Sequence, residues 1–409
     1  MILSSRAARL STKNSSQNGM RFPLEATKYH QDVCNYLTDH EPDLWRWGTA
    51  SLQDDMQQVR LHLLKTTYQL SAQTHPELHA AAARVADKLG ISPAIALYQS
   101  NDAGGANVAI YCAADEAHII FQGPVLGMLS GAEIDAVLGH ELAHYLLWRR
   151  DGQRYLIASR ILDRLALEES PPGVWANTAL RYQQYTEIYA DRGAYSVCAE
   201  IGPCIASLVK IQTGAAQVHV ESYLQQADQI LAPDTTLGEH GGHPQTFIRT
   251  RALALHAAGA SAVDATLASL LNGALALDRL DILGQVELHR LTRSVIARLL
   301  APAWFGSDAV LALARRYYAN FEQGEALDGP VSLPPGHQLD QFFCFVLLDF
   351  CFIDPLLEEL PLAAALRMAE ELGIGAAFDA ALLKEASIKK SALAKLKASR
   401  DELLLQATT

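Results

Sequence analysis

The sequence predicts an α+β fold that is predominantly helical, with a small sheet beside one motif-bearing helix and an added all-α C-terminal region. Three observations predict it. Two short β-rich runs, Ala106–Cys112 and His118–Phe121, flank the turn-like AADEA and follow Gly104-Gly105, which reads as a hairpin. The stretch from Ser130 to Arg150, SGAEIDAVLGHELAHYLLWRR, carries apolar residues at helical spacing. From Gly259 to Thr409 the chain is alanine- and leucine-rich and helical in pattern, interrupted at Ala301-Pro302 and by GPVSLPPGHQ at 329–338.

In order, residues 1–24 form a disordered tail, rich in serine and free of acidic residues over the first twenty, the composition also found in mitochondrial transit peptides. Residues 25–74 read as an N-terminal helical segment, anchored by Leu44, Trp45 and Trp47 and then by Val59, Leu61, Leu63 and Leu64. A domain built around the motif helix spans 75–258. It opens on PELHAAAARVADKLG, with Pro76 at a permitted first-turn position and Gly90 at the C-cap. The strand AIALYQ and the hairpin follow, then the motif helix, then a helix from Tyr155 to Leu167 broken by Ser170-Pro171-Pro172-Gly173. The helix holding EIYADR runs to about Glu200, where Gly202-Pro203 ends it. Residues 259–328 form a helical extension and 338–409 a C-terminal helical domain, whose lysines near the end form a solvated face.

The motif helix carries the chemistry. Ser130 and Glu133 make a capping box ahead of Ile134, Val137, Leu138, Leu142, Tyr145 and Leu146. Four residues at roughly 100° each put His144 about 40° round from His140 and one turn along, so both imidazoles leave one face and fit one zinc ion. Glu141 is rotated about 100° from His140, so its carboxylate reaches an attacking water without taking a coordination position. Zinc needs a third protein ligand. Glu187 and Asp191 stand at i and i+4 on the later helix: Glu187 supplies a carboxylate oxygen, and Asp191 accepts the second N–H of a ligating histidine. The free edge of the hairpin, at Asn107, Val108 and Ala109, is placed to take an extended peptide by strand addition.

Composition narrows the partners. The 409 residues are half hydrophobic, enough for a large core in two or three domains. A net charge of -12 with no basic stripe excludes a nucleic-acid partner. No window reaches the roughly 18 apolar residues of a membrane span; Phe342–Ile353 is too short and carries Asp349. The six cysteines lack metal-type spacing and read as reduced and buried, with Cys198 and Cys204 a pair that could come close enough in space for a disulfide. These features fit a soluble protein of the cytoplasm, the acid-free N-terminus leaving a mitochondrial location as the alternative.

Four patterns in order, ANVAIY, LGHELAH, EIYADR and HPQTFIR, resemble the HtpX and CAAX prenyl protease family of gluzincin metallopeptidases. The resemblance covers about Pro76 to Leu255. It implies a zincin-type core, one zinc per chain on His140, His144 and Glu187, Glu141 as catalytic base, Asp191 behind a ligand, and an edge strand that binds substrate backbone. It maps the family's HP-x(4)-R element onto His243 and Arg249, of which one or the other is expected to stabilise the oxyanion of the tetrahedral intermediate, with His240 as a further candidate. The activity implied is metalloendopeptidase action on peptide or unfolded protein, in protein quality control by analogy. Many members of that family have membrane spans, which this chain lacks. Its last segment, with FFCFVLLDFCFIDPLLEEL and LRMAEELGI, looks like a TerB-type helical domain and implies a protein-interaction module. The competing reading is a latent or non-catalytic zinc module whose helical half binds partner proteins.

Overall fold

A computed structural model describes residues 24–52, 56–101, 105–112, 115–171, 173–231, 245–259, 263–325 and 331–407. The tail up to residue 23, His240 and His243 lie outside them. The fold is α+β and predominantly helical, with one four-stranded sheet among the described residues.

Helix α1 (Lys28–His40) starts at Thr27, whose side chain accepts from the His30 N–H. In the next helix, Pro42–Ala50, Leu44 and Trp45 pack inward as expected, but Trp47 is exposed. Gly48 takes the inward position instead: a Cβ there would stand 2.8 Å from Ile161 Cγ1, so a bulkier residue would part the helices. In the helix Met56–Thr66 only Val59 and Leu63, four apart, face the sheet, while Leu61 and Leu64 turn to solvent. The segment expected to stay helical to Gln73 ends in a strand, β1 (Tyr68–Leu70), too short to show a period of two.

Helix α2 (Pro76–Leu89) ends on Gly90 in the left-handed region, φ 73°. Strands β2 (Ala94–Ser100), β3 (Asn107–Cys112) and β4 (Glu116–Gln122) follow, giving the order β1-β2-β4-β3. β3 and β4 form the expected antiparallel hairpin, β1 runs antiparallel to β2, and β2 pairs in parallel with β4. Alternation assigns the two faces of β4: Ala117, Ile119 and Phe121 pack toward the motif helix, and Ile120 packs with Leu63 and Tyr98 on the other side.

The motif helix, α3 (Gly131–Arg149), has both halves of the capping box. It is buried on nearly every side rather than one-sided: Leu138 and Leu142 meet the sheet, Ala143 and Leu147 meet the core around α1, and Ala136 meets a third cluster. Helices α4 (Arg154–Glu168), α5 (Val174–Cys198), α6 (Ile201–Thr213) and α7 (Thr246–Ala257) surround it. Gly202 and Pro203, expected to separate two helices, sit in the first turn of α6, where proline's missing N–H costs nothing.

Helix α8 (Ile282–Leu299) belongs to two cores, with Ile282 in the one around α1 and α5 and Leu291 onward in the C-terminal one. That second core runs from Leu291 to Leu404 through α9 (Asp340–Cys351), α10 (Leu360–Glu371) and α11 (Lys390–Gln406), so residues before and after 329–338 share it. Asp281 fastens the join: buried, it accepts from Tyr29 Oη and Arg181 Nη1, both at 2.7 Å, and caps α8 through Gly284 N at 2.7 Å. No described helix is long and apolar enough to cross a membrane.

Candidate metal centre

The site begins with two glycines. Helices α3 and α5 pack so closely that a Cβ on Gly193 would stand 2.3 Å from the Ala143 Cβ, and one on Gly139 would stand 3.0 Å from the Ala194 Cα. Small residues at the crossing let the two backbones approach, and the approach sets Glu187 and Asp191 of α5 against the histidines of α3. Gly139 stands inside LGHELAH without a role assigned to it and Gly193 lies outside the motifs, because close packing of two helices leaves no mark at metal-ligand spacing.

The three expected donors meet. His140 Nε2 lies 3.2 Å from His144 Nε2 and 3.5 Å from Glu187 Oε2, and His144 Nε2 lies 3.6 Å from Glu187 Oε1. A tetrahedral ion bonded at about 2.0–2.1 Å spaces its ligand atoms about 3.3–3.4 Å apart, so the three atoms already stand near the edge lengths of such a site. They are the one group of three or more potential ligands found among the described residues.

The surrounding charge asks for a cation. Burial would lower the basicity of His140, yet its hydrogen bond to Asp191 and the nearby Glu187 push it up to about 10. Burial carries His144 the other way, down to about 3, against the pull of Glu187. The donor set of two imidazoles, one carboxylate and this local charge fits a divalent metal such as zinc.

Behind His140, Asp191 Oδ1 stands 3.0 Å from Nδ1. Arg249 of α7 grips Asp191 with Nε at 2.8 Å and Nη2 at 2.6 Å, and its Nη1 reaches Glu187 Oε2 at 3.2 Å. The buried Asp191 carboxyl would be raised by burial, but the Arg249 guanidinium and His140 hold it below the usual carboxylate range. Residues 72–168 match the model of peptidase family M48.

The M48 segment runs from just before α2 to the end of α4 and holds strands β2, β3 and β4 together with His140, Glu141 and His144. Glu187, Asp191 and Arg249 lie beyond it. No curated protein and no solved structure gives a match. The M48 match supports metallopeptidase activity, with zinc as that family's metal and peptides as its substrates.

Around the centre opens a cleft of about 1000 Å³. Its floor is one stripe of α3, Val137, His140, Glu141, His144 and Trp148, spaced so that all face one way. Its rim is β3, which among the described residues pairs only with β4 and brings Asn107, Val108 and Ala109 to the cleft. One flank is α6, through Leu208 and Ile211, which the sequence reading did not single out. Glu141 is buried beside the donors, and Arg249 lies close enough to act on it electrostatically. Arg249 thus comes to the centre as a partner of the two acidic residues of α5.

Proposed function

We propose that this chain is a zinc-dependent metalloendopeptidase that hydrolyses peptide bonds in peptides or unfolded proteins, one zinc per chain, on a site of the HtpX and CAAX prenyl protease type. The observation that carries the reading is the meeting of His140, His144 and Glu187 at 3.2–3.6 Å on the floor of a cleft rimmed by β3, an edge strand among the described residues. A role in protein quality control rests on the sequence likeness alone.

His140, His144 and Glu187 would hold the ion, and Asp191, accepting from His140 Nδ1, fixes which nitrogen of that ring faces it. A zinc ion held there would supply Lewis acidity for the scissile carbonyl and for a nucleophilic water near neutral pH. Glu141, one residue after His140 and free of the donor triangle, takes the proton from the attacking water and returns it to the leaving amine. Asn107, Val108 and Ala109 offer backbone N–H and C=O groups along β3, holding the substrate extended so that its carbonyl is presented to the floor. Three nitrogens of Arg249 already serve Asp191 and Glu187, so its part is to balance their charge and hold them still. The oxyanion donor is then sought at His243, and unchanged turnover of His243→Ala would remove it from that role.

The test is elemental analysis paired with cleavage of casein. One zinc per chain in wild type and Glu141→Gln, with cleavage by wild type alone, is the expected result; His144→Ala and Glu187→Ala should lose metal and cleavage together. One zinc in wild type without cleavage of any unfolded protein would overturn the peptidase reading and leave a metal-binding module.

A further inference from the structure

The two histidines of the centre are held by different means. His140 is fixed in its plane by the 3.0 Å bond to Asp191, itself clamped by Arg249. His144 has no such bond: its Nδ1 is buried and has no hydrogen-bond partner among the described residues. What lies against it is Trp148, one turn further along α3, with ring centroids 5.3 Å apart and planes at 24°. The other ring beside it is His140 itself, edge-on at 4.8 Å and 85°. A metal-ligating imidazole ordinarily gives its second N–H to a carboxylate, carbonyl or water, which sets its orientation. At His144 no such in-plane partner stands among the described residues, and an aromatic ring lies over the imidazole face instead.

Resting on the metal site proposed above, we propose that Trp148 is the positioning residue of His144: the stacked indole fixes the plane of the imidazole, as Asp191 does for His140. Two physical effects support it. Stacking restricts rotation about the Cβ–Cγ bond of His144, so Nε2 stays aimed at the donor triangle rather than swinging out of it. An imidazole bound to a divalent ion is electron-poor, and the indole face, the most electron-rich of the protein aromatics, favours such a partner. Leucine at 148 would fill space and do neither. The i, i+4 spacing makes the device local to α3, so it is present whenever that helix is formed.

The test compares zinc affinity, by chelator competition, and the visible spectrum of the cobalt-substituted protein for wild type, Trp148→Phe, Trp148→Leu and Trp148→Ala. Loss of a partner that orients a ligand typically weakens binding about 10–100-fold. The expected result is a loss of that size in Trp148→Leu and Trp148→Ala, with a shifted cobalt spectrum, and recovery to within about threefold in Trp148→Phe, which keeps a stacking ring. Trp148→Leu guards against a cavity effect, since it keeps apolar volume on α3. Tryptophan emission supplies a second reading: cobalt should quench wild type more than Trp148→Phe, because the indole nearest the metal is gone. Equal zinc affinity in wild type, Trp148→Leu and Trp148→Ala would overturn the positioning role while leaving the metal site intact. Failure of wild type to bind zinc at all would instead overturn the metal reading on which the inference stands.

Discussion

At the scale of single residues, the candidate donors and the acceptor behind one of them could be read from the sequence, and the groups that hold them in place could not. His140, Glu141 and His144 could be placed from helical geometry, Glu187 from the need for a third ligand, and Asp191 from the need for an acceptor behind a ligating histidine, because metal chemistry imposes spacing on sequence. Arg249 was visible only through family likeness, and its grip on Asp191 and Glu187 depends on a fold that brings α7 to α5. We expect Arg249→Lys to keep the charge but lose the two-pronged bond to Asp191, weakening zinc about tenfold in a chelator competition; unchanged affinity would show the fork to be dispensable. His30 gives a separate prediction. It is fully buried between Thr27 and Thr186, at 2.8 and 3.0 Å, and burial, helped by Arg192, lowers it to about 3. Between there and the unfolded value near 6.5 the unfolded chain binds the extra proton, so the stability due to a neutral His30 is complete above about 6.5 and erodes as pH falls toward 3. Denaturant titrations should show wild type losing roughly 1.4 kcal/mol per pH unit more than His30→Gln between pH 6 and 4. Parallel pH profiles for the two would contradict a neutral buried His30.

At the scale of elements, the capped start of α3, the hairpin and the glycine-capped α2 followed from local rules, and those rules act on neighbours in sequence. The exposed Trp47 and the inward Gly48 did not follow, since which side of a short helix meets α4 is decided by distant residues such as Ile161. The crossing of α3 and α5 belongs here too. Gly193→Ala would place a methyl 2.3 Å from the Ala143 Cβ, and the helices must part to admit it. Overpacking of this kind costs about 1–3 kcal/mol, and because Glu187 and Asp191 ride on α5 it should also weaken zinc binding. Calorimetry and metal titration on the same variant check both; a stable Gly193→Ala with full affinity would mean that the crossing has slack.

For the whole molecule, two cores meet at α8, one around α1, α3 and α5 and one spanning Leu291 to Leu404. The candidate metal donors all belong to the first body. Stripping zinc should therefore lower one thermal transition, by the several kcal/mol that a tightly bound ligand contributes to the native state, and leave a second unmoved. A single transition that shifts as one would show the two cores to be fully coupled. Asp281→Ala leaves Arg181 and the Tyr29 hydroxyl without their buried acceptor, and we expect a loss of about 3–5 kcal/mol in the zinc-sensitive transition. The helical character of the C-terminal half was plain from alanine and leucine content, but its single core across 329–338 was not, because a Pro- and Gly-rich stretch looks alike whether it parts two bodies or merely turns within one.

The Arg249 clamp also orders events during synthesis. Arg249 follows Asp191 by 58 residues, so at ordinary elongation rates it leaves the ribosome roughly 3–12 s later. Through that interval the nascent chain carries both histidines and both acidic residues of the centre without the guanidinium that steadies them, and the candidate site takes its finished form only after the sheet, cleft floor and flank have been synthesised.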